Sequence, residues 1–393
     1  MSSTRATSKK AFKAKTSKSK KGQIDFPLLF LTISILAYGL IMVLSAGSVY
    51  GFNATQNSYY YVLQQLKWTA VGGLFALITY KIPYHTWRRL AGLSVVVTIG
   101  LLAAVHFTEA GIVSKGSARW LAIGPVNIQP SEAAKLAIVL FLAHNLDRAP
   151  VKRIKDIWIP LVFIGLIVGL VFKQPDLGTT MVLVFTTAAL LWQTELSTKL
   201  FAIGIPLMSI PVIYLIRNTP YQWNRIVIWQ NPWLDASNMG YQITNAQIAF
   251  GSGGIFGVGL GRSLQKYGFL PESHTDMIFA MVGEELGLLG ALILIILFIL
   301  FVARGFSIAR DCPDRFGRLL AFGLTATLGF QAVCNLAVVT GVFPVTGITL
   351  PLVSYGGSSL SVTLAEIGLL LNISRFRNTA IVQREQVQSG VTV

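Results

Sequence analysis

The chain has 393 residues, 53% of them hydrophobic and only 12% charged, with a mean hydropathy of +0.62. A soluble domain carries about 25% charged residues, so soluble enzymes, secreted disulfide scaffolds and disordered chains are excluded. The net charge of +16 would suit a nucleic-acid binder, but eight of the 32 Lys and Arg residues stand in the first 21 positions. That Lys/Ser/Thr-rich stretch has no apolar periodicity and reads as a cytoplasmic arm against anionic lipid, with no nucleic-acid partner.

About 20 apolar residues span a bilayer. The apolar runs therefore predict an all-α polytopic membrane protein of about ten transmembrane helices, near 26–48, 67–82, 90–107, 131–146, 157–173, 178–193, 200–216, 276–302, 319–340 and 356–374. The first run is too long for the apolar region of a signal peptide. Several others are short, so thin, tilted or re-entrant pieces are expected near 67–82, 131–146 and 178–193. Most Lys and Arg residues then fall on one side, which by the positive-inside rule puts both termini in the cytoplasm. Residues 1–25 and 377–393 are read as cytoplasmic tails and 26–376 as the membrane domain. The connections at 49–66 and 108–130 face outward, as does a large extracytoplasmic loop, 217–275, before the eighth span. In that loop the aromatic and polar residues from Tyr221 to Trp229 suit an interfacial helix. The run GSGGIFGVGLG, Gly251–Gly261, calls for close backbone approach or positive φ. It is weak as a nucleotide motif, because no strand and helix frame it. Cys312 and Cys334 support neither a disulfide framework nor a metal site.

The informative acids lie at or inside apolar runs: Glu132, Asp176, Asp276, Glu284, Glu285 and Glu366. An ionised acid near mid-bilayer costs roughly 2.5–3.5 kcal/mol, so such groups line polar cavities or are paired. All but Glu366 fall toward the outer ends of their spans. In IQPSEAAKLA, Ser131 can cap a helix and Glu132 and Lys135, three apart, share one face. They form either a self-neutralised pair or a substrate-facing one, with Lys135 available to a phosphate. Asp176 in KQPDLGTT is either a helix cap or part of the site. In LPESHTDMIFAMVGEELG, His274, Thr275 and Asp276 precede a strong apolar helix; capping competes with a catalytic role for Asp276, and Glu284 can line the same groove. Ser359, Thr363 and Glu366 make a polar stripe on the last span, where hydrogen bonding between helices is the plainer reading.

Taken together, RWLAIGPVNIQPSEAAKLA, QPDLGTT, NPWLDASNMGYQITNAQIAFGSGGIFGVGLG, FLPESHTDMIFAMVGEELG and PVTGITLPLVSYGGSSL resemble the SEDS family of bacterial membrane proteins (shape, elongation, division and sporulation) from about Phe26 to Phe376. The resemblance is stronger to the division branch than to the elongation branch. It implies a ten-span peptidoglycan glycosyltransferase that polymerises lipid II into β-1,4 glycan outside the cytoplasmic membrane, at the division septum. It makes Asp276 the catalytic aspartate. The substrate-binding candidates are Glu132, Lys135, Asp176, Lys115, Arg119, Arg262, Lys266, His274, Glu284, Ser358 and Ser359. The leaving diphosphate calls for positive charge, from those cations or a divalent ion such as Mg or Mn. A class B penicillin-binding protein and other division membrane proteins are the implied partners. A lipid flippase or transporter is the rival reading, since charged groups and interrupted spans mark transporters too; no inverted repeat is visible, and the acids gather on one side. A scaffold role is compatible with the enzyme.

Overall fold

The computed structural model describes residues 22, 24–108, 111–114, 117–124, 126–198, 201–202 and 217–376. Its helices are α1 (Phe26–Thr55), α2 (Tyr60–Lys81), α3 (Tyr84–Phe107), α4 (Pro130–Arg148), α5 (Trp158–Lys173), α6 (Leu177–Trp192), α7 (Pro220–Gln230), α8 (Tyr241–Gly253), α9 (Ile278–Asp311), α10 (Arg315–Val339) and α11 (Gly357–Ser374). Between α3 and α4, strands β1 (Gly111–Ser114), β2 (Ser117–Ile123) and β3 (Val126–Ile128) form an antiparallel meander. Among the described residues α1, α3, α9, α10 and α11 are long and apolar enough to cross a membrane, and α5 and α6 are shorter apolar helices. The chain is a helical membrane protein.

α10 and α11 lie innermost: 72% and 83% of their most apolar windows are buried, against 28% for α3 and 33% for α9. A helix apolar all round belongs inside, and one with a bare apolar face meets lipid. On α9 that face carries Leu288, Leu292, Ile296 and Ile299, all exposed. Hydrogen bonds between helices fix the packing where apolar contact alone gives no register in lipid. α2 and α11 are joined at three levels. The buried Gln65 donates to the Ser354 carbonyl at 3.0 Å, Thr79 donates to the Ala365 carbonyl at 3.0 Å, and Asn372 donates to the Tyr80 carbonyl. α6 meets α10 through the buried hydroxyl pair Thr186 and Thr327, 2.9 Å apart. α1 meets α9 at Asp25, which caps its own helix at Leu28 N and pairs with Arg304 at 2.9 Å.

Four differences from the sequence reading have physical causes. The chain is not all helix, because the alternation in RWLAIGPVNI around Gly124, whose φ is +61°, folds as a hairpin. Residues 49–66 are not a long connection. α1 runs on to Thr55 and α2 starts at Tyr60, closed by Gln56 at φ +59°, because hydropathy marks the apolar part of a helix and not its polar ends. α2, expected to be short, accordingly has 22 residues. Residues 217–275 hold two helices, of which α7 covers the segment read as interfacial. Nearly all of the expected span 200–216 lies outside the described residues, as do most of the first tail, the segment 377–393 and Lys115.

The glycine-rich run has a structural use. α9 is broken at Gly287 (φ +66°, ψ −165°), a conformation open almost only to glycine. The break separates the carbonyls of Glu284 and Glu285 from the N–H groups of Leu288 and Leu289 that would have met them. The run inserts there. Val258 N and Gly259 N donate to Glu284 O and Glu285 O, both at 3.0 Å, while Leu288 N and Leu289 N donate to Gly254 O and Ile255 O at 2.9 and 3.2 Å. Released backbone groups inside a membrane protein must find such partners. The approach is close enough that a Cβ at Gly257 would stand 2.2 Å from the Glu285 carbonyl oxygen.

Candidate active site

Two polar centres form where helices begin. At the first, the starts of α4 and α6 meet. Asp176 caps α6 by accepting from Thr179 N at 3.1 Å, and its other oxygen accepts from Gln129 Nε2 at 3.3 Å and Ser131 Oγ at 3.4 Å. The capping role weighed for Asp176 is therefore present, together with a bridge to the start of α4. One turn into α4, Lys135 Nζ lies 2.7 Å from Glu132 and donates to Gln331 Oε1 of α10 at 2.6 Å. Glu132 and Lys135 are 6% and 3% exposed, so the ion pair expected from their spacing is internal. Glu366 of α11, 1% exposed, is within electrostatic reach of both. Arg119 on β2 donates to the Gln174 and Pro175 carbonyls and so holds the turn that presents Asp176.

At the second centre, Asp276 sits just before α9, whose N-cap position falls on Met277. Its carboxylate accepts from Gln242 Nε2 of α8 at 3.4 Å and from Thr275 Oγ1 at 3.3 Å. Its backbone oxygen accepts from Asn335 Nδ2 of α10 at 2.7 Å, and the same amide reaches Ile348 O at 2.7 Å. The His274 ring packs among Tyr61, Tyr50 and Tyr355, with centroids 4.3, 5.2 and 5.7 Å away, while His274 O accepts from Tyr355 N.

The two centres share α10. Gln331 and Asn335 are four residues apart, one face of one helix and about 6 Å along its axis. Gln331 receives Lys135 and passes a hydrogen bond to Thr349 O at 3.0 Å; Thr349 Oγ1 is 3.1 Å from Ser359 Oγ. Ser358 accepts from Gln129 N at 3.2 Å and faces Asn127 O at 3.4 Å, closing the first turn of α11 over the start of α4. Glu132, Lys135, Asp176, Ser358 and Ser359 are thus brought together, and Asn335 links them to Asp276.

Glu284 and Lys266 are placed differently. Glu284 accepts from Leu264 N at 2.9 Å, Gln265 N at 3.3 Å and Ser263 Oγ. Lys266, 4% exposed, stands 3.6 Å from the fully buried Glu285, which also accepts from Ser45 Oγ at 2.6 Å and Gly261 N at 3.0 Å. Lys266 also donates to Gly261 O, so it holds the end of the inserted run, and Glu284 holds the residues just after it. Arg262, in contrast, is exposed.

Sequence reasoning passed over Gln331, Asn335, Gln242 and Gln129. The search followed charge, whereas two amides four apart in the apolar run FGLTATLGFQAVCNLAVV were the available signal. Among the described residues no three His, Cys, Asp or Glu side chains gather to hold a metal ion. No step is assigned to a divalent cation.

Residues 26–379 match the family model described as cell cycle protein, covering FtsW, RodA and SpoVE. The chain is 38% identical over 356 residues to the probable peptidoglycan glycosyltransferase FtsW of Trichlorobacter lovleyi, covering 90% of this chain and 93% of that protein. It is 38% identical over 363 residues to the stage V sporulation protein E of Bacillus subtilis, covering 91% and 98%. The fold is similar to the rod shape determining protein RodA of Thermus thermophilus, at TM-score 0.67, 30% identity and coverage of 90% and 97%. It is also similar to a chain described under structural coordination of polymerization and crosslinking by a peptidoglycan synthase complex, at TM-score 0.75, 32% identity and coverage of 90% and 98%. Match by motif, by length and by fold agree: the chain belongs to the FtsW, RodA and SpoVE family of cell cycle proteins.

Proposed function

We propose that this peptidoglycan glycosyltransferase polymerises lipid II at the outer face of the cytoplasmic membrane during septal wall synthesis, with Asp276 as the general base. The substrate's long lipid tail confines its sugars to the membrane surface, where the starts of α4, α6 and α9 and the loop before α9 would lie. This places ten spans in the membrane, both termini in the cytoplasm and residues 217–275 outside. Relatives named as FtsW and a fold shared with a peptidoglycan synthase complex support the reaction, and a class B penicillin-binding protein is the expected partner.

A sugar hydroxyl is a poor nucleophile at neutral pH and needs a base as it attacks. Asp276 would take the proton of the acceptor's 4-hydroxyl while that oxygen bonds to C1 of the donor and the C1–O bond to the lipid diphosphate breaks. One displacement inverts the donor's α linkage to the β linkage of the glycan. Among the described residues, Arg262 is the exposed cation of those considered for the leaving diphosphate; Arg119 and Lys135 already hold protein groups, and Glu132, Asp176, Ser358 and Ser359 would shape the floor beneath.

The carrying observation is the hold on Asp276. Asn335 fixes its backbone, so the position of the side chain does not depend on its charge. Asp276→Asn keeps that clamp and should fold. A general base contributes 10²–10⁴-fold, so glycan formed from lipid II by the purified variant, read on a gel, should fall by about that factor with binding retained. Near-normal polymerisation by the folded variant would remove Asp276 from the chemistry, since Asn and Asp serve equally well where a side chain only caps a helix.

A further inference from the structure

A cleft of about 430 Å³ opens between the second half of α4 and the start of α5, toward the end of α4 away from Glu132 and Lys135. Its walls divide by chemistry. Phe141 and Phe163, edge to face with centroids 6.2 Å apart, make the apolar side, and Trp158 stands exposed at the mouth, as aromatic residues do at a membrane interface. Lys155, Asp156 and Asn145 make the polar side.

The polar side holds Lys155 beside Asp156, and further cations stand on the same connection. Asp156 Oδ2 accepts from Lys152 N and Arg153 N, both at 2.9 Å, so this carboxylate serves its own turn, and those bonds hold its pKa below the ordinary carboxylate range. The Asn145 amide donates to Phe141 O of its own helix. Asp147, the other acid of the connection, is paired with Arg88 at 2.7 Å. Among the described residues no carboxylate lies within ion-pair distance of Arg148, Arg153 or Lys155, three cations inside eight residues.

We propose that this cleft binds one anionic phospholipid, its acyl chain against Phe141 and Phe163 and its phosphate at Lys155. An apolar wall continuous with the bilayer and a cationic rim at headgroup level recognise both parts of such a lipid, and basic pockets between membrane helices bind anionic headgroups. A water-soluble anion would leave the aromatic wall unused, and a zwitterionic lipid would leave the excess positive charge unmatched. The site makes no use of the catalytic assignment and stands or falls apart from it.

The test uses full-length protein in nanodiscs of phosphatidylcholine containing phosphatidylglycerol, released into native mass spectrometry to count retained lipids. Lys155→Gln, at an exposed position that leaves folding intact, should lower retained phosphatidylglycerol about fivefold, one lysine's share of surface attraction. Phe163→Ala should lower it as well. Phosphatidylcholine retention should not change with Lys155→Gln, and Arg318→Gln, an exposed position in the first turn of α10, should leave both lipids as they were. Equal retention in Lys155→Gln and the parent overturns the proposal. So does an equal fall in Arg318→Gln, which would mean diffuse attraction, or an equal fall of phosphatidylcholine, which would mean a cleft that selects chains and not headgroups.

Discussion

Lys135→Met should be far more damaging than the loss of one surface lysine. In the parent, Lys135 is 3% exposed, and its ammonium lies at ion-pair distance from Glu132 Oε2, 2.7 Å, and donates to Gln331 Oε1 at 2.6 Å. Methionine fills similar space but leaves Glu132, 6% exposed, as a buried acid without its cation. Breaking a buried pair from one side costs about 3–5 kcal/mol. The stranded Gln331 oxygen adds up to about 1–3 kcal/mol, and the two costs overlap because they share one donor. A single-site loss near 4 kcal/mol is a large part of the 5–15 kcal/mol that holds most domains folded. Glu132→Gln with Lys135→Met removes both charges together, and replacing a whole buried pair is often close to neutral. The double variant should therefore be more stable than Lys135→Met alone, by about 2 kcal/mol or more, in thermal or denaturant unfolding of detergent-purified protein. A Lys135→Met protein as stable as the parent, or a double variant no better than the single, would refute the internal pair. A double variant that recovers the fold without recovering polymerisation would assign the pair a part in binding substrate.

Two further outcomes follow from the broken helix. Gly287→Ala puts a side chain where φ is +66° and where a Cβ would lie 2.3 Å from Gly257 N; backbone strain alone is about 1–3 kcal/mol. The inserted run should detach, and limited proteolysis within 254–262 should quicken; unchanged cleavage would mean that the loop does not depend on the break. Glu285→Gln should cost about 3–5 kcal/mol because Lys266 is left buried beside an uncharged amide. Adding Lys266→Met should recover most of that stability in the same unfolding assay, and failure to recover it would show that the backbone bonds to Glu285, not the charge, carry the anchor.

How much of this was legible in the sequence depended on the kind of force involved. The membrane class was readable because transfer to hydrocarbon acts on composition, residue by residue. The Glu132–Lys135 pair and the cap at Asp176 were readable because both are local, three residues or fewer apart. The ends of α1 and α2 were not, since Tyr60, Gln64 and Gln65 are helical without being apolar. The hairpin around Gly124 was missed because short alternating strands give a weak signal beside long apolar runs. The partners of Glu284 show a further limit. Angular offset on an ideal helix said it could share a groove with Asp276, but the partners at Ser263, Leu264 and Gln265 lie on a loop about twenty residues earlier, and no periodicity reveals which loop folds back.

The same limit explains why the site was found through its acids and not through its amides. A charge in an apolar run draws notice because leaving it there is costly, whereas Gln331 and Asn335 look like tolerated polar residues until their partners are known. In the fold they connect the parts that matter: one receives the Lys135 ammonium, the other holds the Asp276 backbone, and both reach the segment 348–349 that leads into α11. Neutral amides suit that task. They fix position through donors and acceptors while adding no charge, so the proton affinity of a neighbouring carboxylate is left to its own surroundings. A carboxylate that must accept a proton during attack and release it afterwards gains from being located through its backbone, a hold that does not change as its charge does. The Asp276 backbone oxygen has such a hold from Asn335 Nδ2 at 2.7 Å, while the Glu132 carboxylate lies 2.7 Å from the Lys135 ammonium. A position that survives a change of charge is what the proposed base needs, and the Asn335 clamp on the Asp276 backbone supplies it.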